Sequence, residues 1–370
     1  MAGKIKLLIV SQHLEGGGAE KILYRLILNL YNEFDITLVT LYNKGRYLNE
    51  ILALPGINYV CLNAERGNTF VFAFRLRKII KVTGPNKIFS FLYYQNILTY
   101  LALIGLKVPV ILSERSNHRF YLKRSIKHAI WRYLLRRAYN YAESVITVSD
   151  ESKAAIIHDF RIPGEKIFTI YNGLSFPLLD KLKEEPVTDF EFRNDVDYVV
   201  AIGSLTKAKN YPLLIRSFSI LSSKYKYIRL IILGKGEMEN ELNDIVAQMN
   251  LNGMIHFIGY RNNPYKYLKK ASCYVLSSSW EGFPNSLLEA MYINGHVIST
   301  NCPTGPSEII SNNVDGLLCA LNNPEELAAA IEKMCFDKDF RNNVFENSRK
   351  TITRFDEKVM VQEYRKLLLQ

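Results

Sequence analysis

The chain has 370 residues, of which 48% are hydrophobic and 22% are charged, and its formal net charge is +11. This length exceeds what one hydrophobic core usually supports, and the composition is that of a soluble globular protein, so we expect two domains. No run of about 18 apolar residues is present, which excludes a membrane-spanning helix, and the first residues lack the layout of a signal peptide, so we expect a cytosolic protein. The five cysteines form no C-x-x-C pair, which favours reduced buried thiols over a disulfide framework or a zinc site.

The excess of positive charge lies entirely in the first half of the chain. Residues 1–175 contain 24 Lys and Arg against 12 Asp and Glu, whereas the remainder contains 23 against 24. Such an asymmetry indicates that one domain meets an anionic partner. Nucleic acid, a membrane surface and a phosphorylated substrate are the three candidates.

Short runs rich in Val, Ile, Leu and Phe alternate with longer segments of helical period along the whole chain. The short runs predict strands near residues 5–11, 35–42, 57–62, 87–92, 108–113, 144–149 and 167–171, and then near 198–203, 228–234, 254–259, 272–278 and 296–300. This alternation predicts the α/β class, with parallel sheets covered by helices on both faces. The pattern stops once, in the polar segment 177–195 with its two prolines, which we interpret as an interdomain linker.

We therefore expect two doubly wound, Rossmann-like domains that face each other across a cleft. The predicted boundaries are residues 1–178 and 179–355, and the C-terminal helix at about 356–370 is expected to pack back on the first domain. In doubly wound sheets ligands bind beyond the carboxyl ends of the strands. The loops that follow the predicted strands are therefore where functional residues are expected.

The loop after the first predicted strand contains three consecutive glycines within "EGGGAEK". Gly17 and Gly18 allow a ligand to approach the backbone closely, and the helix start behind them offers N–H groups to an anion or a sugar hydroxyl. A dinucleotide site is disfavoured because G-x-G-x-x-G is absent, and a P-loop is disfavoured because no G-K-[ST] follows. A simple tight turn is the alternative, and the nearby His13 is either an acceptor contact or a capped loop residue.

Two loops of the second half carry further candidates. In "GSLTKAKN" the strand ends at Gly203 and Ser204, and Lys209 is placed to meet a diphosphate as a point charge. In "LGKGE" Gly234 and Gly236 would permit close approach of a planar base or a ribose, although two glycines alone are a weak signal.

The segment "SWEGFPNSLLEA", residues 279–290, places one carboxylate before a helix and one inside it. Proline is favoured at the first helical position, so the helix is expected to start near Pro284. The amides of Asn285, Ser286 and Leu287 would then be available to an anion or a polyol. Glu281 would project into the cleft, and Glu289 would lie more than one turn inside the helix. The alternative is a solvated loop glutamate followed by a glutamate that the helix dipole favours.

A basic segment, residues 115–142, contains eight Lys and Arg between Arg115 and Arg137 and no acid. Its apolar residues recur at spacings that predict an amphipathic helix with basic flanks. The first interpretation is that this helix meets anionic lipid head groups or an acceptor pyrophosphate, and the alternative is a helix that covers the sheet with a solvated basic face. The cations assigned to this contact are Arg119, Lys123, Arg124 and Lys127.

Taken together these motifs resemble family 4 of the retaining glycosyltransferases, which have the GT-B fold. The resemblance covers nearly the whole chain and rests on the E-x7-E spacing of Glu281 and Glu289. It is extended by "EGGGAEK", "SERSN", "YNG", "GSLTKAKN", "CPTGPSEII", "DGLL" and the closing "ITRFDEKVMVQEYRKLL". It is strongest to bacterial enzymes that build capsule, O-antigen or lipid-linked oligosaccharides, including N-acetylhexosamine transferases that act on polyprenyl-diphosphate glycans.

The resemblance implies a role for each matching residue. Glu289 would hold the nucleotide ribose, Glu281 would lie by the donor sugar, and Lys209 would neutralise the departing diphosphate. The backbone around Phe283, Pro284, Asn285 and Ser286 would hold sugar hydroxyls and phosphate. No metal or other cofactor is expected, and the leaving phosphate itself would take the acceptor proton.

The implied substrates are a nucleotide sugar, with UDP as the expected nucleotide, and a polyprenyl-diphosphate-linked or other glycan acceptor. The first domain would bind the acceptor and the second the donor. The enzyme would work at the cytoplasmic face of the membrane, bound peripherally to its anionic surface, and would not bind nucleic acid. The alternatives are another GT-B enzyme, such as a sugar-nucleotide epimerase or a phosphorylase, and a non-enzymatic nucleic-acid binder.

The chain departs from the family pattern at two positions. Ser204 stands where the family usually has an arginine, so one of two phosphate-facing cations is missing. Arg115 stands where many relatives have a histidine close to the reaction centre, and we expect it to bind a donor or acceptor phosphate instead. His118 is a weak substitute for that histidine, because a lone histidine is more often structural or solvated.

Overall fold

The structure, a computed structural model, describes residues 4–63, 69–122 and 125–370. It divides into two compact units. The first contains the described residues up to Gly173 together with Lys358–Gln370, and the second is Leu174–Glu357.

Each unit is built on one parallel sheet. The strands of the first unit are β1 (Ile5–Ser11), β2 (Phe34–Thr40), β3 (Ile57–Cys61), β4 (Lys87–Phe91), β5 (Val110–Ser113), β6 (Ser144–Thr147) and β7 (Ile167–Thr169). Those of the second unit are β8 (Asp197–Ile202), β9 (Ile228–Leu233), β10 (Ile255–Gly259), β11 (Cys273–Leu276), β12 (Val297–Thr300) and β13 (Leu317–Cys319). Every predicted strand is confirmed. The short β13 was not predicted.

The strand orders are those of doubly wound sheets. The first is β3-β2-β1-β4-β5-β6-β7 and the second is β10-β9-β8-β11-β12-β13, with parallel pairing throughout the described ladders. The strand order therefore reverses between β1 and β4 in the first unit and between β8 and β11 in the second. These switch points open a crevice at the carboxyl edge of each sheet, where ligands bind in such folds.

Helices connect the strands. They are α1 (Gly18–Leu30), α2 (Leu48–Leu52), α3 (Thr69–Thr83), α4 (Tyr93–Leu103), α5 (His118–Tyr121), α6 (Ile126–Tyr141), α7 (Asp150–Phe160), α8 (Phe176–Lys183), α9 (Tyr211–Lys224), α10 (Glu239–Gln248), α11 (Tyr265–Lys270), α12 (Asn285–Ile293), α13 (Pro306–Ile309), α14 (Pro324–Phe336), α15 (Lys338–Thr351) and α16 (Glu357–Leu369). Single 3-10 turns occur at Gly164–Lys166, Lys207–Lys209 and Ile352–Phe355. Among the described residues, no helix combines the length and the apolar character needed to cross a membrane.

In the first unit the helices form two layers on opposite faces of the sheet. One apolar core contains residues of α3, α4, α6 and α7, and a second contains residues of α1, α2 and α16. The C-terminal helix α16 contributes Met360, Val361, Tyr364 and Leu368 to that second core. The end of the chain is thus held in the first unit by burial of a helical apolar face.

The predicted linker contains a helix. Helix α8 lies largely within the polar segment 177–195 and packs against α11 and α12 of the second unit. Leu179 is the side chain that α8 buries completely. This packing explains why the division between the units follows Gly173 and precedes α8, whereas the sequence placed it after residue 178.

Candidate active site

Lys209 and Glu281 meet at the switch point of the second sheet. Lys209 ends the 3-10 turn after β8, and Glu281 lies in the loop after the neighbouring strand β11. Lys209 Nζ donates to Glu281 Oε1 at 2.6 Å, and Ser278 Oγ donates to the same oxygen at 2.5 Å. Both charged side chains are largely buried, with 18% and 12% of their surfaces exposed. Two residues that were predicted from two separate motifs therefore form one ion pair.

Hydroxyl groups from two neighbouring loops hold this pair in place. Ser277 Oγ donates to the carbonyl oxygen of Lys209 at 2.8 Å, which joins the loop after β11 to the turn after β8. Thr304 Oγ1 donates to the carbonyl oxygen of Glu281. The sequence interpretation missed Ser277, Ser278 and Thr304. A signal was present in the run of three serines directly after the apolar strand β11, at the edge where ligand-binding residues collect.

Gly203 makes room for the lysine. A Cβ atom at this position would lie 2.9 Å from Lys209 Cε and 3.2 Å from the Tyr211 hydroxyl, which donates to Gly203 O. The aliphatic stem of Lys209 therefore crosses the end of β8 through the space that a side chain would fill. Burial, with a further contribution from the nearby Glu281 charge, raises the pKa of Tyr211, so this phenol stays a neutral donor. Ser204, the next residue, is exposed.

Gly234 and Gly236 have a packing function. A Cβ atom on Gly234 would overlap the carbonyl oxygen of Gly203, and one on Gly236 would overlap the carbonyl group of Leu205. Backbone bonds join the same two loops, including Leu205 N–H to the carbonyl oxygen of Lys235 at 3.0 Å. These glycines permit two loops of the protein to come close to each other. That contact explains why glycine is needed at both positions, and no contact with a base or a ribose is required to explain it.

The predicted helix start is confirmed to within one residue. Helix α12 begins at Asn285, and Pro284 is the residue before it. The prediction for Leu287 is wrong, because its amide donates to the carbonyl oxygen of Pro284 at 3.1 Å and is not available to a ligand. Ser286 Oγ accepts a bond from the Tyr274 hydroxyl at 2.8 Å, which fixes the first turn on β11.

Glu289 lies inside α12 and is buried. Its Oε1 accepts a hydrogen bond from the Tyr265 hydroxyl of α11 at 3.0 Å. It is the fifth residue of the helix, so it lies beyond the first turn, where the helix dipole favours carboxylates most. A buried carboxylate with room for several donors is suited to hydroxyl groups, because its two oxygens offer about four lone-pair sites.

The loop before α12 rests on a second loop. Phe283 is buried, and its ring centroid lies 5.9 Å from that of Phe355. Gly305 has φ +101°, and a Cβ atom there would come within 2.6 Å of Pro284 Cδ. Glycine therefore lets the loop around residue 305 support the loop that carries Glu281.

Charged side chains of both signs lie around the glycine loop of the first unit. Gly17 precedes α1, which begins at Gly18, and a Cβ atom on Gly17 would overlap the carboxylate of Glu20. His13 lies between Glu20 and Glu15, with a nitrogen 3.7 Å from an oxygen of each. Cations lie at the same loop, because Lys44 Nζ is 2.7 Å from Glu15 Oε1 and the Arg46 side chain lies against Gly16. The anion and the sugar hydroxyl therefore both stay predictions for this loop.

Arg115 contacts several groups of the first unit. Its side chain is 7% exposed, Nη1 donates to the Tyr364 hydroxyl at 2.9 Å, and Nη2 donates to Asn172 Oδ1. The guanidinium also lies 5.0 Å from the centroid of the Phe91 ring. Arg115 thus joins β4 and the segment before the division to the C-terminal helix. These contacts weaken its assignment to a phosphate, which stays a prediction.

Glu114 was missed by the sequence interpretation. It is fully buried directly after β5, and burial raises its pKa to about 7, although the hydrogen bond from Tyr139 acts in the opposite direction. The Tyr139 hydroxyl lies 2.7 Å from Glu114 Oε2. Its signal in the sequence was an acid that follows an apolar strand after a single serine, Ser113.

The basic segment forms two helices, α5 and α6, where one amphipathic helix was predicted. His118 and Arg119 both bind Asp159: the histidine Nε2 lies 2.8 Å from Oδ2, and the arginine contacts both oxygens, at 2.6 and 2.7 Å. Burial lowers the pKa of His118, and Arg119 holds the pKa of Asp159 well below its usual range. These two residues are thus engaged within the unit, which weakens their assignment to an acceptor or a membrane. Lys123 and Arg124, together with the side chain of Lys127, lie outside the described residues.

Comparison with known proteins adds the family. Residues 16–175 match Glycosyltransferase Family 4, and residues 183–351 match the family described as glycosyl transferases group 1.

Among the described residues, no group of three or more His, Cys, Asp or Glu side chains is arranged to hold a metal ion.

Two relatives and one solved structure illustrate the likeness. An uncharacterized glycosyltransferase of Methanocaldococcus jannaschii is 32% identical over 62% of this chain and 64% of its own length. The N-acetylgalactosamine-N,N'-diacetylbacillosaminyl-diphospho-undecaprenol 4-alpha-N-acetylgalactosaminyltransferase of Campylobacter jejuni is 26% identical over 96% of this chain and 97% of its own length. HepE of Anabaena, solved in complex with UDP and glucose, superposes with a TM-score of 0.83 at 18% identity, over 99% of this chain and all of that one. The chain is a glycosyltransferase of family 4 with the GT-B fold.

Proposed function

We propose that the enzyme transfers a hexose or N-acetylhexosamine from a UDP-sugar, with retention, to a polyprenyl-diphosphate-linked or other glycan acceptor in bacterial surface-glycan synthesis. The Campylobacter relative is named for transfer to a diphospho-undecaprenol-linked saccharide, and HepE was solved with UDP and glucose. In this proposal the first unit binds the acceptor and the second the donor. The enzyme works as a peripheral protein at the cytoplasmic face of the membrane.

The observation that carries the proposal is the ion pair of Lys209 and Glu281 at the switch point between β8 and β11. A lysine ammonium has three donors, so Lys209 can keep its bond to Glu281 and also donate to the diphosphate. During transfer the bond from the sugar's anomeric carbon to the diphosphate oxygen breaks, and negative charge grows on the leaving group. A preorganised cation stabilises that charge without reorganisation, and no metal or other cofactor enters the proposed reaction.

The remaining parts of the reaction follow from the same arrangement. The acceptor oxygen forms its bond to the anomeric carbon on the face that the diphosphate leaves, and the departing phosphate oxygen takes the acceptor's proton. Glu281 is proposed to accept a bond from a donor-sugar hydroxyl with its second oxygen. Glu289 is proposed to accept the ribose hydroxyls while it keeps its bond to Tyr265.

The test compares two lysines of one turn. Lys209→Ala should lower the turnover number for UDP release by about 10²–10³, as for other preorganised groups that stabilise developing charge. Lys207→Ala is the matched control, because Lys207 lies in the same 3-10 turn and is exposed. A panel of UDP-sugars with a lipid-linked acceptor, read by UDP release and by the mass of the product, measures both variants. Equal turnover of the two variants, or epimerisation of the donor without transfer, would contradict the proposal.

A further inference from the structure

The outer surface of one helical layer in the first unit is unusually apolar. Among the described residues, every large hydrophobic side chain with an exposure of 56% or more lies on α3 or α6. These are Phe70 (78%), Phe74 (56%) and Val82 (87%) on α3, and Ile130 (59%) and Tyr133 (61%) on α6. Single exposed apolar residues are normal on a soluble protein, but such a concentration in one layer marks an interaction surface.

The two helices present these residues on the same side of the unit. Helix α3 packs against α4, and α4 packs against α6. The opposite sides of α3 and α6 bury Phe72 and Leu135 in one apolar core over the sheet. Because both helices bury one side against the same sheet face, their solvent sides point away from that face together. We call this surface, made of Phe70, Phe74, Lys78, Ile130, Tyr133 and Arg137, the outer face.

The outer face is also basic. The sequences of α3 and α6 contain Lys and Arg but no acidic residue. Phe70, Phe74 and Lys78 are spaced by four residues and therefore follow one another along one side of α3. Lys78 Nζ lies 4.7 Å from the centroid of the Phe74 ring, so the cation and the aromatic ring are side by side.

From this combination we infer that the outer face docks on an anionic lipid bilayer, with Phe70 and Phe74 entering the boundary between head groups and acyl chains. Helices that lie in a membrane interface pair an aromatic and aliphatic side with Lys and Arg, and anionic lipids attract those cations. A second copy of the chain fits this face less well, because pairing two such faces would bring like charges together. The inference rests on the proposed function in one respect, since an acceptor anchored in a bilayer gives the docking its purpose.

This surface is distinct from the membrane contact predicted from sequence, of which Lys123, Arg124 and the side chain of Lys127 lie outside the described residues. The fourth cation of that contact, Arg119, is paired with Asp159 through two hydrogen bonds. Of the apolar residues in the basic segment, Leu135 lies in the protein core and Trp131 lies beside Tyr94 at a ring distance of 5.7 Å. Among the described side chains of α6, those on the side that carries Ile130 and Tyr133 are the ones that can contribute to a lipid contact.

The test is co-sedimentation of the full chain with phosphatidylglycerol-containing vesicles and with pure phosphatidylcholine vesicles. F70S/F74S should weaken binding to the anionic vesicles about tenfold or more, because two rings no longer leave water. K78E/K81E should weaken it about 25-fold or more, at roughly fivefold for each cation lost from a membrane surface, and added salt should reduce the difference. V359S, on the opposite helical layer, and K338E/K350E, on α15 of the second unit, are the matched controls and should sediment like the wild type.

Two further measurements separate the outcomes. UDP binding, measured by calorimetry, should be unchanged in all four variants. A wild-type chain that binds vesicles but not UDP would contradict the proposed function without contradicting the docking surface. If F70S/F74S sediments with anionic vesicles as strongly as the wild type does, the insertion of the two rings is overturned. A change of oligomeric state on gel filtration for F70S/F74S, with unchanged vesicle binding, assigns the outer face to a second copy and likewise overturns the inference.

Discussion

Gly203→Ala tests whether the position of the Lys209 side chain, and not only its presence, sets the rate. The added methyl group would lie 2.9 Å from Lys209 Cε. Carbon atoms that do not share a bond prefer separations of about 3.5–4.0 Å, so the lysine stem must move by about 0.6 Å or more. A displacement of about 1 Å at a reacting centre can cost 10²-fold, and we expect the turnover number for UDP release to fall about 10- to 100-fold.

The same substitution should leave the fold intact. The atoms that the methyl group meets belong to the flexible Lys209 chain and to the Tyr211 hydroxyl, and the backbone of residue 203 lies outside the left-handed region. Gly234→Ala is the contrasting control, because its Cβ would overlap the backbone of Gly203 and cannot be relieved by rotating a side chain. Overpacking of that kind typically costs about 1–3 kcal/mol of stability.

Steady-state UDP release and thermal unfolding distinguish these effects. Gly203→Ala should combine a wild-type melting temperature with a low turnover number, whereas Gly234→Ala should lower the melting temperature. A folded Gly203→Ala variant with wild-type turnover would refute the reasoning, since the displaced lysine would then be unnecessary to the reaction. An equal loss of melting temperature in both variants would show that position 203 serves packing alone.

Three further predictions concern single side chains. Glu289→Ala should weaken UDP binding about 10- to 150-fold, from the loss of charge-assisted bonds worth roughly 1.5–3 kcal/mol, and calorimetry should find near-normal affinity in the control Tyr265→Phe. Ser278→Ala removes one of the two donors to Glu281 Oε1 and should lower turnover about tenfold with little change in UDP affinity; equal losses of both would argue against a positioning role. The raised pKa of Glu114, about 7 against an ordinary 4.5, means that the folded chain holds this proton more tightly than the unfolded chain. The resulting stabilisation, about 3 kcal/mol, is fully present below pH 4.5 and is lost as the pH rises through 7. The free energies of unfolding at pH 4 and pH 8, measured with denaturant, should therefore differ by about 3 kcal/mol less in Glu114→Gln than in the wild type.

The sequence predicted the strands well because each central strand is buried on both faces and therefore reads as a continuous apolar run. It predicted Lys209 and Glu281 as candidates because both follow such runs. Their direct bond was beyond the sequence, since they are 72 residues apart and meet only because β11 returns to lie beside β8. Strand order is a property of the packed sheet that local period does not specify.

The errors have a common physical origin in tertiary packing. Helix α8 was interpreted as linker because its polar sequence gives little local signal, and its contacts with α11 and α12 decide its structure. Arg115 was assigned to a phosphate because it stands where many relatives have a histidine close to the reaction centre, whereas its partners in the folded unit are a tyrosine hydroxyl, an amide oxygen and an aromatic ring. The sequence shows which groups are present, and burial determines which of them can reach a ligand.

The glycines of the second unit connect packing to the proposed chemistry. Gly234 and Gly236 let the loop after β9 come close to the loop after β8, and that contact fixes the backbone of Gly203. Because Gly203 has no side chain, the Lys209 stem can pass the end of β8 and reach Glu281. Ser277 and Ser278 add hydrogen bonds from the neighbouring loop to the lysine backbone and to the carboxylate. A lysine side chain loses rotamer freedom when it is held in one position, at a cost of up to about 2 kcal/mol. In this arrangement Lys209 is already ordered when the protein folds. The proposed reaction therefore does not have to order this cation again at each turnover.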